Sequence, residues 1–279
     1  MIPSSPRVVV RLARKEVRDA LRNRWFVMFA LAFAGLALAL SRLSLGGAEA
    51  AGFAGFGRTA ASLINLVILV VPLMGLTLGA ASLAGERERG TLATLLAQPV
   101  TRWQVLAGKY AGLALALCAA LALGFGLAAA IVVAGGGAVA AASLAALVGL
   151  TMLLALASLA IGMLISSLSR RSAAASGTAL LVWLALVFLG DLGLMGTAVA
   201  IRLDVGTLLV LALANPVEAF KVGAVQAVTG TLDGLGPAGT YATRRLGVAL
   251  APTLVAALAA WAVLALGAAA AAFQRGRLD

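Results

Sequence analysis

Between Gly85 and Lys109 the chain carries side chains suited to gripping a partner. Glu86, Arg87, Glu88 and Arg89 alternate in sign, Gly90-Thr91 follows, and Leu92, Leu95 and Leu96 recur at helical spacing before Pro99. Alternating charge beside a leucine face suits protein docking better than plain attraction to anionic lipid. It is not bond-making chemistry. The chain has no histidine, so serine–histidine and cysteine–histidine nucleophile sets are excluded. Its single cysteine, Cys118, lies inside an apolar run, and its six methionines show no ligand-like spacing. No catalytic, cofactor-binding or metal-binding residue is therefore expected.

The surroundings of this stretch are those of a membrane protein. Of 279 residues, 63% are hydrophobic and 11% charged, with a mean hydropathy of +1.09. Runs of about 20 apolar residues, each able to cross a hydrocarbon core of about 30 Å, recur along the chain. The expected fold is an all-α polytopic membrane protein with six transmembrane helices, at roughly 25–45, 60–84, 106–134, 138–168, 174–199 and 248–272. Gly135-Gly136-Gly137 marks a tight hairpin between the third and fourth. The net charge of +11 is carried by residues flanking the apolar runs. That distribution points to a lipid bilayer and not to nucleic acid. Fifteen basic residues fall on the side of the 85–109 loop and six on the other, so both termini are expected to be cytoplasmic. Ala48-Glu49-Ala50 has a cleavage-site look, but the apolar core before it is too long for a signal peptide, and a retained span is expected.

Local patterns refine this plan. Residues 1–24 read as an N-terminal amphipathic interfacial helix. Arg7, Arg11, Arg14/Lys15, Arg18 and Arg22 form its basic stripe, Val10, Ala13, Val17 and Leu21 its apolar stripe, and Trp25 sits where the chain enters the bilayer. Residues 25–279 form one six-span domain, with a cytoplasmic loop at 85–105 and an outer segment at 200–247. In the loop, Gly90-Thr91 can start a short helix that Pro99 ends, and Thr101-Arg102-Trp103-Gln104 fits a capping box for the next span. In the outer segment, Leu208–Ala214 is too short to span. Asn215-Pro216 breaks the chain, Val217–Val228 can form a short interfacial or re-entrant helix, and Gly230–Gly239 reads as loop. Within the spans, Asn65 is expected to make an interhelix hydrogen bond. Pro72, Gly75 and Gly79 make the second span bendable and closely packable, and Asp191 falls near the outer end of the fifth. Asn65, Pro72 and Asp191 are candidates for a substrate path or a dimer seam.

The run E-R-x-x-G-T-L-x-x-L-L-x-x-P-V-x-R at Glu86–Arg102, followed by V-L-x-G-K at Val105–Lys109, resembles the signature of type-2 ABC transporter permeases. So does R-K-E-V-R-D-A-L-R-N-R-W at Arg14–Trp25. Phe56-Gly57-Arg58, Ala61-Ser62-Leu63, Pro72-Leu73, Ala214-Asn215-Pro216-Val217-Glu218 and the basic ending Phe273–Leu278 make the chain most similar to membrane subunits of nitrous-oxide-reductase maturation transporters, the NosY type. The resemblance implies a homodimer of six-span subunits in the bacterial inner membrane, clasped by a dimer of cytoplasmic ABC ATPases. Gly108-Lys109 is no Walker loop, lacking the upstream glycine and the following Ser/Thr, so ATP and Mg would be bound by the partner subunit and this chain is not expected to be an enzyme. The helix near 91–98 would be the coupling helix, with Glu86, Glu88, Gly90, Thr91, Leu92, Leu95, Leu96, Pro99 and Arg102 as ATPase-coupling residues. Force would pass through the three leucines into the second and third spans. Asn215, Pro216 and Glu218 would meet a periplasmic β-helical protein, and the complex would support copper-centre assembly. An exporter of a drug, lipid or polysaccharide, or a membrane anchor without cargo, remains open on the residues alone.

Overall fold

A computed structural model describes residues 6–46, 52–190, 205–230, 232 and 247–275. Asp191, most of the 230–239 loop and the last four residues lie outside the described residues. The described part is helical: α1 Pro6–Arg22, α2 Arg24–Gly46, α3 Gly52–Glu88, α4 Thr91–Leu96, α5 Arg102–Leu168, α6 Ser172–Leu184, α7 Val205–Leu213, α8 Pro216–Thr229 and α9 Leu250–Arg275. A π-helical turn, Ala185–Leu189, continues α6, and a 3-10 turn, Gly247–Ala249, leads into α9.

Among the described residues, five segments are long and apolar enough to cross a membrane: Arg24–Arg42, Ala60–Glu88, Arg102–Ala130, Ala141–Leu168 and Leu250–Arg275. The expected fifth span, 174–199, is described only to Gly190, and its apolar helix Ser172–Phe188 is shorter. The chain is an all-α polytopic membrane protein.

Helical backbone runs through α5 without a break at Gly135–Gly137. The chain nevertheless reverses, because Tyr110 Oη donates to the carbonyl of Leu156 at 3.1 Å. On a straight helix these residues would stand about 69 Å apart at 1.5 Å per residue. Their midpoint in sequence falls two residues before Gly135, so the reversal lies near the glycines, but within helical backbone and not as the expected tight hairpin. The two arms of α5 are therefore separate spans.

Glycine lets the bundle close. A Cβ on Gly79 would lie 2.5 Å from the Leu159 carbonyl oxygen and 2.8 Å from the Met163 nitrogen. Gly75 abuts Ser158, and Gly162 abuts the Leu76 backbone. Gly75 and Gly79 thus seat α3 against the second arm of α5, the small-residue contact expected where lipid supplies no hydrophobic drive. Pro72 is buried inside α3, whereas Asn65 is exposed on its outward face. The expected interhelix bond of Asn65 is not made among the described residues, where its side chain is exposed.

The outer segment is held by chemistry visible in its sequence. Asn215 caps α8 by accepting from the Val217 N–H at 2.9 Å, Pro216 fills the first turn, and Gly230 closes the other end with φ 73°. Pro216, Glu218, Phe220 and Ala224 are buried, so α8 enters the bundle and does not lie on its surface. Asn215 Nδ2 also donates to the Leu186 carbonyl at 2.7 Å. The three residues expected to meet an outer partner are thus engaged inward, as cap and packing.

Candidate coupling site

Gly90 carries the reversal between α3 and α4. Its φ of 72° is readily available only to glycine, and its N–H returns to the Arg87 carbonyl at 3.1 Å. Thr91 does not cap α4 forward. Its Oγ1 donates back to the Glu86 carbonyl at 3.2 Å. Thr101 does form the expected capping box: Gln104 N–H donates to Thr101 Oγ1 at 3.2 Å, and Thr101 N–H to Gln104 Oε1 at 2.9 Å. Thr101→Ala should cost about 1 kcal/mol, read as a small fall in melting temperature of the detergent-solubilised chain with no change in partner binding.

The leucine face points the other way from the expectation. Leu92 is 2% exposed and packs with Leu83, Leu106, Met163, Ala269, Ala270 and Phe273, drawn from α3, both arms of α5 and α9. Leu96 packs at the edge of this cluster, and Leu95 is half-buried. Burying a leucine contributes about 1.5–3 kcal/mol, so α4 turns its apolar side onto its own spans. The face left outward is Thr91, Ala93, Thr94, Ala97, Gln98 and Pro99.

The charges before α4 are also largely engaged within the chain. Arg87 Nη1 donates to the carbonyls of Ser166 and Ser169. Glu88 Oε2 accepts from the Ser172 N–H at 3.0 Å, at the start of α6. Arg102 Nη1 donates to the Phe273 carbonyl at 2.6 Å and its guanidinium stands over the Phe273 ring, tying α5 to the end of α9.

Glu86 anchors a buried ion network. Lys109 Nζ lies 2.8 Å from Glu16 Oε1 and 2.9 Å from Glu86 Oε1, and all three residues are less than a tenth exposed. Lys15 Nζ approaches the same Glu86 oxygen at 3.2 Å and Asp19 at 3.9 Å. Lys109 thus joins α1, α3 and α5 at one point. Burial pulls the Lys15 ammonium down, but the Glu86, Glu16 and Asp19 carboxylates outweigh it and hold it above the ordinary lysine value. Its contribution to stability is complete below the unfolded lysine value of about 10.4 and is lost as pH rises through the higher folded value.

Glycine also seats α1. A Cβ on Gly108 would lie 2.6 Å from Leu12 Cβ, and one on Gly112 would lie 2.5 Å from the Ala13 carbonyl oxygen. The protein-facing stripe of α1 is Leu12, Ala13, Glu16 and Ala20. The expected apolar stripe is rotated from it: Val10 and Leu21 remain exposed beside the arginines. The helix therefore has three faces, one on protein, one apolar and one basic.

Sequence reasoning treated Glu16 and Lys109 as parts of motifs and assigned them no role. The available signal was a lone glutamate among the arginines of α1 and a lysine between Gly108 and Gly112, one turn apart.

A family model described as ABC-2 family transporter protein matches residues 10–278. The chain belongs to the ABC-2 transporter family. Two relatives, each named "Probable ABC transporter permease protein NosY", are 34% identical to it. The one from Pseudomonas aeruginosa aligns over 221 residues and the one from Stutzerimonas stutzeri over 220, in both cases 77% of this chain and 80% of the relative. In this ABC-2 permease the 85–105 loop is fastened to α1 through Glu86 and Lys109, to the second arm of α5 through Arg87, to the start of α6 through Glu88 and to α9 through Arg102.

Proposed function

We propose that this chain is the permease subunit that carries ATP-driven motion from a separate cytoplasmic ATPase dimer through its coupling loop to the opposite side of the bacterial inner membrane. The observation that carries the reading is the buried Glu16–Lys109–Glu86 network, which ties α1 to the adjoining ends of the second and third spans on either side of α4. In this reading the outward face of α4 receives the ATPase, and the buried leucines pass the load to the spans. Both termini are cytoplasmic. ATP and Mg belong to the partner. A second copy of the chain meets the outward side of α3, where Asn65 and Leu69 are exposed. The resemblance to the NosY type supports a role in copper-centre maturation of nitrous oxide reductase, with a periplasmic β-helical protein on the outer face.

Thr94→Trp combined with Gln98→Trp should lower coupled ATPase activity by roughly tenfold, as a bulky obstruction at the centre of an interface does, while membrane insertion is unchanged. Unchanged activity would place the ATPase elsewhere. Purification of the tagged chain from its native membrane should bring down an ATPase and a periplasmic β-helical protein. An ATPase alone would turn the reading to an exporter. In a strain lacking the chain, nitrous oxide reductase should accumulate without its full copper content, and a normal copper content would remove the maturation role.

A further inference from the structure

A cavity of about 300 Å³ opens between the first turns of α2, the α4-proximal half of α3 and the start of α6. Phe26 and Met74 are buried beneath it, Phe29 and Leu78 are partly buried, and Trp25 is 70% exposed. Asn23 and Ser176 add polar groups. The Thr77 hydroxyl, the third polar group of the lining, is bound to the Leu73 carbonyl at 2.6 Å. An apolar interior with a few polar groups is the lining of a site for an amphiphile.

Its depth can be read along α3. Met74 precedes Glu88 by about 21 Å of helix at 1.5 Å per residue, so the cavity lies in the leaflet nearest α4. The charges around it are mainly positive. Arg22 and Arg24 flank Asn23, and Arg171 precedes Ser176 on α6; all three are exposed. The neighbouring carboxylates are engaged, Asp19 with Lys15 and Glu88 with the start of α6. None of the lining residues belongs to the coupling loop.

We infer that this cavity binds one anionic phospholipid from the leaflet nearest α4. An acyl chain lies against Phe26, Phe29 and Met74, and the headgroup phosphate is attracted by Arg22, Arg24 and Arg171. A lipid seated there would bridge α2 and α6 beside the moving end of α3. The inference does not depend on which ATPase or cargo the chain serves.

The test is native mass spectrometry of the full-length chain in mild detergent, offered equal phosphatidylglycerol and phosphatidylcholine with matched acyl chains. One phosphatidylglycerol per chain should be retained in preference. Arg22→Gln and Arg24→Gln should each reduce that preference by about fivefold, with phosphatidylcholine retention unaltered. Ser176→Trp, which fills the cavity, should remove the bound lipid. Ala81→Trp provides a second plug should the first variant fail to yield a monodisperse chain. Equal retention of the two lipids would overturn the anionic assignment. Retention unaffected by both plugs would overturn the site. Displacement by excess inorganic phosphate would show a free-anion site in place of a lipid site.

Discussion

Lys109→Met should detach α1 from the bundle and abolish ATPase coupling. The substitution keeps most of the side chain's length, one atom short of lysine, and removes its charge, leaving Glu16 and Glu86 buried and facing each other across an unfilled cation position. Breaking a buried ion pair in this way costs about 3–5 kcal/mol. Lys15 relieves only part of this, because it is half-exposed and already shared with Asp19. Three arginines at Arg7, Arg11 and Arg14 make α1 a ready trypsin substrate once it opens, so rapid tryptic loss of the N-terminus should accompany the drop in coupled ATPase activity. A variant with Lys109→Met, Glu16→Gln and Glu86→Gln separates fold from transmission. Neutralising all three removes the stranded charges, and thermal stability should return to near the parent value. If the network transmits motion, coupling stays low in the stable triple variant; full recovery of coupling would reduce the network to a structural role.

Gly79→Ala should destabilise the chain, while Gly126→Ala should stabilise it. Both glycines are helical, and in an open helix alanine is favoured by roughly 0.5–1 kcal/mol. Nothing lies within 4 Å of a Cβ on Gly126, so that gain is realised in full. On Gly79 the methyl would meet backbone atoms of Leu159, Gly162 and Met163. Backbone cannot swing aside as a side chain can, so α3 and the second arm of α5 must separate. Overpacking of this kind costs about 1–3 kcal/mol. Gly162→Ala meets the Leu76 backbone from the other side, and the two substitutions should be non-additive because one separation relieves both. Thermal unfolding in detergent reads the opposite signs directly. A melting temperature raised by Gly79→Ala would show that the helices are not held at this spacing.

The elements with local signals were legible in the chain. Thr101 and Gln104 make the capping box that their spacing predicts, Asn215-Pro216 starts a helix, and the reversal in α5 falls near the glycine triplet, though without a turn there. Each depends on residues within a few positions of one another. The parts that were not legible depend on rotation about a helix axis and on distant partners. Leu92 and its neighbours were correctly placed on one face, but periodicity does not say what that face touches. Nor does periodicity show that Ala13 of the apolar stripe of α1 turns to the protein with Leu12, Glu16 and Ala20 while Val10 and Leu21 stay exposed. Glu86 looked like a docking charge because its partners, Glu16's Lys109 and Lys15, stand 23 and 71 residues away. Asn65 was assigned a neighbour it does not have among the described residues.

The position of Lys109 in the sequence also sets an order of events during biosynthesis. Glu16 leaves the ribosome 93 residues before its buried partner does. At about 5–20 residues per second, that interval is roughly 5–20 s. Throughout it the carboxylate has nowhere dry to go, so α1 waits at the membrane surface while two spans insert ahead of the third. The first helix to be made is thus among the later ones to dock, and its arrival reports that the spans beneath it are in place.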